Sequence, residues 1–343
     1  MGTPLKSSLP DPKESTGTSG SADQSSWADA VRARNGRTVR TVTIHQLQKP
    51  WKFLGKGEFC MTYATSLDGQ PVVVKVLKPE QKDNPTAAAD LASESFLMTA
   101  MRHPNVLSAI GMGTHEGLPF LVLEMLGSVL SNELPKPADN VPFWTHRAQK
   151  KKWPMTRALR VAKELAEALH YCHAQCFPGC RVLHRDLKPN NIGFMPDGRL
   201  ALFDFGLAKL WRVADGDDGS ECRPLTGNTG SLRYMAPEVA LCKRYNHRAE
   251  IFAYATLVWQ MIAHERPFAD CDVDGFYKRV CHAGHRPKMP AHTPPLLAQM
   301  LLRCWDADPA KRPEMAEIIP ILDQLLKGDD YPATVETEGC SLH

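Results

Sequence analysis

His184-Arg185-Asp186-Leu187-Lys188-Pro189-Asn190-Asn191, followed by Leu202-Phe203-Asp204-Phe205-Gly206, decides how this chain is read. Pro189 can extend neither a helix interior nor a central strand, so the first motif is a loop. Within six positions that loop offers a carboxylate (Asp186), an ammonium (Lys188) and an amide (Asn191). Asp204 comes eighteen residues after Asp186, at the end of a short apolar strand and just before the release at Gly206. A carboxylate held in that way, with an amide oxygen beside it, is a hard oxygen-donor set of the kind Mg²⁺ prefers. Either carboxylate alone is more often a loop cap than a catalyst. Their ordered joint occurrence is the signal.

Working outward toward the N-terminus, strands are predicted over residues 51–65 and 70–77, joined by a turn at Asp68-Gly69. Gly55-Lys56-Gly57-Glu58-Phe59-Cys60 lies inside that pair, and its glycines let the backbone approach phosphate closely. Lys75 sits in the apolar run Val72-Val73-Val74-Lys75-Val76-Leu77, where an unpaired ammonium is costly. A helix is predicted over 87–101, and its Glu94 can supply the counter-charge. Residues 118–125 read as a compact apolar strand. Beyond them the apolar spacing predicts helices over 155–173, 237–241, 249–264, 294–305 and 315–326. Residues 129–152, polar and containing prolines, with the run Lys150-Lys151-Lys152, read as an exposed loop. A strand-rich front and a helix-rich back predict an α+β fold of two lobes with a cleft between them.

Composition narrows the classes. With 41 Lys+Arg against 38 Asp+Glu the net charge is +3, which does not favour a nucleic-acid or membrane electrostatic role. Ten irregularly spaced cysteines in 343 residues suit a reduced intracellular protein, cytoplasmic with nuclear residence left open. The longest apolar run, 251–263, reaches about 20 Å as a helix, too short for a bilayer. No transmembrane segment is expected. The first 26 residues hold seven serines and only four apolar residues (Met1, Leu5, Leu9 and Ala22), and disorder is expected there. Residues 27–49 carry Arg32, Arg34, Arg37 and Arg40 and read as a solvated basic linker or a docking segment.

Taken together, the motifs resemble those of the eukaryotic protein kinases. The resemblance runs from Gly55 to Arg312 and extends to Ala236-Pro237-Glu238, Arg266-Pro267-Phe268, Cys304-Trp305 and Asp308-Pro309-Ala310-Lys311-Arg312-Pro313. The Cys-Trp and Lys-Arg-Pro elements look like the tyrosine-kinase-like group, whereas Lys188 and Gly230-Ser231 look like Ser/Thr specificity. It implies a kinase domain over 48–328, with an N-lobe at 48–126 and a C-lobe at 127–328. It also leaves 1–47 as a disordered, basic lead-in and 329–343 as a short acidic tail. The implied fold is bilobal, with a small antiparallel sheet and one main helix in front of a larger helical lobe. The implied reaction moves the γ-phosphate of ATP, with Mg²⁺, to Ser/Thr hydroxyls of protein substrates. Residues 55–60 would cover the ATP phosphates. Lys75, positioned by Glu94, would hold the α- and β-phosphates. Asp204 and Asn191 would bind Mg²⁺, Asp186 would orient the substrate hydroxyl and Lys188 would contact the γ-phosphate. Glu124 and Leu126 would present hinge backbone groups to adenine, with Leu123 as gatekeeper. Glu238 and Arg312 would form the buried pair that holds the activation segment.

The chain departs from that pattern at several positions. Cys60 stands where a third glycine is usual, Thr62 replaces a valine, and Val73 replaces a smaller residue. Glu250 replaces the aspartate that opens the apolar helix, and Ala255 replaces its glycine. Cys60 reads either as a reactive thiol in the nucleotide cleft or as a plain small-residue replacement. His170, Cys172, His173, Cys176 and Cys180 read as helix-core residues or as a zinc cluster. Arg185 ahead of Asp186 predicts an activation loop ordered by phosphate on Thr226 or Thr229, added by an upstream kinase or by autophosphorylation. The acidic stretch 215–221 reads as solvating that loop or as docking a basic substrate. Cys60, Val73 and Glu250 support one rival reading, a nucleotide-binding pseudokinase scaffold, and a dual-specificity or tyrosine kinase is a further alternative.

Overall fold

The computed structural model describes residues 40–136, 142–213 and 220–328. The disorder expected over the first 26 residues, the acidic tail and residues 215–219 of the acidic stretch all lie outside the described residues. Alternation in the run 70–77 produces a strand with two different faces. Val72 and Val74 point to one side, and Val73, Lys75 and Leu77 to the other. This strand, β3 (Gln70–Leu77), is central in a five-stranded antiparallel sheet with β1 (Lys52–Lys56), β2 (Cys60–Leu67), β4 (Ala109–His115) and β5 (Leu118–Glu124). The strand order is β1-β2-β3-β5-β4.

The outer face of the sheet packs Val72, Val74, Phe120 and Val122 against Val42, Leu47 and Leu67. Residues 40–47, part of the segment read from sequence as a solvated basic linker or a docking segment, are therefore docked on the sheet. Burying side chains of this size contributes roughly 1.5–3 kcal/mol each. Backbone bonds from Val42 N–H to Met112 O (2.9 Å) and from Met112 N–H to Arg40 O (3.1 Å) complete the contact. Strand β4 was not anticipated, because Gly111 and Gly113 dilute its strand signal. Those glycines serve the docking: a Cβ at Gly113 would lie 2.0 Å from Val42 O.

The inner face meets helix α1 (Pro85–Ala100), whose start is capped by Asn84 Oδ1 accepting from Thr86 N–H and Ala87 N–H. Leu91, Leu97 and Met98 are buried on its inner side, and Glu94 shares that burial. Strand β6 (Ser128–Val129) then leads into the helical lobe.

Residues 129–152 are not simply an exposed loop. They contain helices α2 (Leu130–Glu133) and α3 (Phe143–Lys152). Trp153, which follows α3, is fully buried and carries the Arg157 guanidinium 4.1 Å from its ring centroid. Arg157 also pairs with Glu133 at 3.1 Å, which pins α2 to the lobe. Local polarity hid a helix whose anchor lies just beyond it in the chain.

Helix α4 (Met155–His170) buries Leu159, Ala162, Leu165, Ala166 and Leu169, as its spacing predicts. From Tyr171 to Gln175 the turns widen to π geometry instead of continuing as α-helix, and His173 is buried there. The short strands β7 (Cys180–Leu183), β8 (Ile192–Phe194), β9 (Leu200–Leu202) and β10 (Lys209–Arg212) carry the loops of the cleft floor. Helix α5 (Pro237–Ala240) precedes α6 (Arg248–Ala263), which holds the apolar run and is buried on nearly every side. Tyr254 Oη donates to Ala162 O at 3.0 Å, joining α6 to α4. Helices α7 (Pro295–Cys304) and α8 (Met315–Leu326) close the lobe. Among the described residues no helix is long and apolar enough to cross a membrane.

Candidate active site

Lys75 is one of the residues through which the two lobes meet. Its strand aims the side chain inward, where α1 presents Glu94 and the loop after β9 presents Asp204. Lys75 Nζ donates to both Glu94 carboxylate oxygens and to Asp204 Oδ1, all at 2.8 Å. Burial alone would lower the ammonium's pKa, but Glu94 and Asp204 outweigh it and the value is raised. Burial pushes the Glu94 carboxyl up, and Lys75 opposes that shift. Asp204 is also penalised by burial, yet the Lys75 charge holds it below the usual carboxylate range. Gly206 borders this cluster: a Cβ there would make ordinary contact, 3.6 Å from Asp204 Oδ1 and from Glu94 Oε2.

Asp186 sits lower in the cleft and is nearly buried. Its Oδ2 accepts from Lys188 Nζ at 2.5 Å and from Asn191 Nδ2 at 3.0 Å, while its Oδ1 accepts from Ser231 Oγ at 3.0 Å. Asn191 Nδ2 also donates to Asp186 O at 2.8 Å. Its amide hydrogens are thus turned toward Asp186, which leaves the amide oxygen as a hard donor alongside the Asp204 carboxylate. That donor chemistry fits Mg²⁺. His184 is fully buried, with Nε2 bonded to Phe203 O at 3.0 Å.

The backbone of this loop is held from the helical lobe. Arg185 adopts φ +66°, a conformation that needs support in a residue with a side chain. Glu250, at the start of α6, supplies it: Oε1 accepts from Arg185 N–H at 2.6 Å and Oε2 meets His173 Nε2 at 2.7 Å. Burial would raise the Glu250 carboxyl, but His173 and the Arg185 amide bring it below its usual value. The substitution of Glu for Asp keeps the acceptor. His173 was read from sequence only as a core or zinc residue. Its link to Glu250 spans 77 positions, and no local pattern signals it. Cys172 and Cys176 are fully buried, and among the described residues no His/Cys/Asp/Glu group is arranged to hold a metal.

Residues 55–60 form the turn between β1 and β2, closed by Gly57 N–H donating to Cys60 O at 2.8 Å. Lys56, Gly57 and Glu58 are exposed at the tip, and Phe59 packs against the main apolar cluster. Thr62 Oγ1 donates to Gly55 O at 3.1 Å, so the Thr62 hydroxyl bridges the hairpin. Cys60 is buried in the cluster that includes Leu77, and burial pushes its thiol up to about 11. The reactive-thiol reading is therefore set aside, and Cys60 is a small core residue.

Glu124 and Leu126 lie where β5 ends and the chain crosses to the helical lobe. Glu124 N–H donates to Ser108 O and its Oε2 accepts from Ser108 N–H, which fixes the crossing. Leu126 packs on Gly193, where any Cβ would come within 2.5 Å of it. Leu123 pairs with Val73 across β3 and β5. Glu238 and Arg312 are both buried and form a two-pronged ion pair at 2.6 and 3.0 Å.

A bilobal α+β fold with this cleft defines the protein-kinase class. The family model described as protein tyrosine and serine/threonine kinase matches residues 49–322, and the chain belongs to that family. The Arabidopsis thaliana serine/threonine-protein kinase STY17 is 32% identical over 81% of this chain and 43% of its own length. The serine/threonine-protein kinase VIK of the same plant is also 32% identical, over 79% of this chain and 58% of its own length. The serine/threonine/tyrosine-protein kinase HT1 is 26% identical over 87% of this chain and 74% of its own length. The chain spans about half the length of the first curated relatives it matches.

Proposed function

We propose that this chain is a protein serine/threonine kinase that transfers the γ-phosphate of ATP to Ser/Thr hydroxyls of protein substrates. The observation that carries the reading is Lys75 bridging Glu94 and Asp204 at 2.8 Å, which ties both lobes to one phosphate-binding position. Lys75 and residues 55–60 would hold the phosphates, and Glu124 and Leu126 would present backbone groups to adenine. Mg²⁺, held by Asp204 and Asn191, would neutralise charge on the transferring group. Asp186 would accept a hydrogen bond from the acceptor hydroxyl, at the oxygen now bonded to Ser231. Lys188 would neutralise charge beside it. Positioning and electrostatics of this kind carry most of the catalysis in phosphoryl transfer. The Ser231 contact with Asp186 supports hydroxyls on short side chains as acceptors. Nine free cysteines among the described residues support a reducing, cytoplasmic setting.

Phosphorylation would act through Arg185. Its Nη1 lies 3.4 Å from Tyr245 Oη, and that hydroxyl donates to Thr226 O at 3.0 Å. A phosphate on exposed Thr226 would meet this cation and order the activation segment; Thr229 is the second candidate.

The test is phosphate transfer from labelled ATP to a generic protein substrate. Wild type is expected to label serine and threonine, and Asp186→Asn is expected to lose about 100- to 10,000-fold in kcat. Thr226→Ala with Thr229→Ala is expected to lower activity. Wild type as inactive as Asp186→Asn, with nucleotide still bound, overturns the reading in favour of a scaffold. Label on tyrosine shifts it to dual specificity.

A further inference from the structure

Below Asp186 a cavity of about 720 Å³ opens along the helical lobe. Lys188 and Ser231, both bonded to Asp186, line one end of it, so that end is where an acceptor hydroxyl would arrive. The same cavity is lined by Lys136, Arg233 and Arg266, which come from three separate segments. None of these three cations forms an ion pair among the described residues. Arg233 donates only to backbone carbonyls, Pro267 O at 3.1 Å and Phe268 O at 2.5 Å. Burial and then the neighbouring Arg266 charge hold the Arg233 guanidinium below its usual value, and Asp270, which opposes the shift, is itself paired with Arg279 at 2.6 Å. Arg266 and Lys136 are exposed to the cavity mouth.

The carboxylates of the cavity offset this group only in part. Asp272 Oδ1 accepts from Gly275 N–H as a helix cap. Glu265 is exposed and forms no ion pair among the described residues, so two carboxylates stand against the three cations and the excess is positive. The rim adds more positive charge. Lys136 N–H donates to Gln149 Oε1 at 3.0 Å, which fixes α3 beside the cavity. That helix carries Arg147, Lys150, Lys151 and Lys152 and no acidic residue.

We propose that this groove selects protein substrates with an anionic side chain, a carboxylate or a phosphate, near the phosphoacceptor. The anion would sit between Arg266 and Arg233, with Lys136 also lining the groove. A guanidinium pair suits either anion through bidentate bonds, and a basic substrate segment would be repelled. This rests on the kinase reading above.

The test uses the full chain and four serine peptides that differ only in flanking residues: alanine, glutamate, phosphoserine or arginine. Steady-state transfer is expected to favour the glutamate or phosphoserine peptide over the alanine peptide by about tenfold in kcat/KM, carried by KM, with the arginine peptide last. The two anionic peptides, compared with each other, tell which source is preferred. Arg266→Glu combined with Lys136→Glu is expected to invert the order, raising the arginine peptide as the anionic ones fall. A folding defect would lower all four together. Peptide affinity measured by fluorescence anisotropy without nucleotide is expected to give the same ranking, and it reads the groove even if transfer to every peptide fails. An arginine peptide ranked first in wild type, or an order unmoved by the double charge reversal, overturns the proposal.

Discussion

Cys60 shows how one side chain is decided by its surroundings. Lys75 pulls its thiol pKa down, but burial pushes it up more strongly, and the result is about 11. At pH 7 a thiol of that pKa is about one part in ten thousand thiolate. Cys60 is therefore expected to resist iodoacetamide at neutral pH, as followed by intact-mass and peptide mass spectrometry. Labelling of Cys60 as fast as a free cysteine would contradict its placement. The position next to the glycine loop was legible in the sequence, and so was the unusual residue. The direction of its side chain was not, because that depends on what Leu77 and the strands beside it leave open. Lys75 is the contrasting case. An ammonium inside a valine-rich strand already demands a counter-charge, and Glu94 was its evident supplier.

Helix α6 and the loop at Asp186 work as one device at the scale of elements. Glu250 anchors the strained Arg185 amide while His173 holds the second carboxylate oxygen. Glu250→Ala removes both bonds and lets the loop shift. A displacement of about 1 Å remote from the chemistry costs on the order of 100-fold in rate, so kcat is expected to fall by that amount while the KM for ATP changes little. Glu250→Gln keeps an acceptor for Arg185 and is expected to lose less. Steady-state kinetics of the two variants checks this, and equal kcat in Glu250→Ala and wild type would remove the positioning role. The helices α4, α6, α7 and α8 were legible from apolar spacing to within a few residues. Strand β4 and helix α3 were not: the first is glycine-diluted, and the second gains its stability from Trp153 and Arg157 outside it.

At the scale of the molecule, buried charge pairs clamp segments that are far apart in the chain. Glu238 and Arg312, 74 positions apart, are both almost fully enclosed. Removing one partner leaves an uncompensated charge, so Glu238→Ala is expected to cost about 3–5 kcal/mol in denaturant unfolding. His247 and Glu314 form a second clamp at 2.9 Å between the start of α6 and the start of α8. Burial would raise the Glu314 carboxyl, but the His247 bond and the Arg248 charge bring it down to about 2. Burial lowers His247 from its usual 6.5. Both shifts act in the same direction. The unfolded chain binds protons more readily, so stability falls on acidification, first below pH 6.5 through His247. The Glu314 contribution is complete above about pH 4.5 and is lost as pH falls toward 2. Melting temperature against pH is expected to fall less steeply between those values in Glu314→Gln than in wild type. Parallel curves would count against the clamp.

The sequence by itself determined the family and the two-lobed order of strands before helices, and it singled out Lys75, Glu94, Asp186, Asn191 and Asp204 as candidate site residues. Those residues are legible because their chemistry is written in short motifs and because period-2 and period-3.6 apolar patterns are local. Only the tertiary structure decided that residues 40–47 dock on the sheet and that His173 stands behind Glu250. It also decided that the Cys60 thiol faces the core and that Lys136, Arg233 and Arg266 line one cavity. Each of these depends on contacts between segments tens of residues apart. Burial and neighbouring charge set how such groups behave, and a linear pattern carries neither.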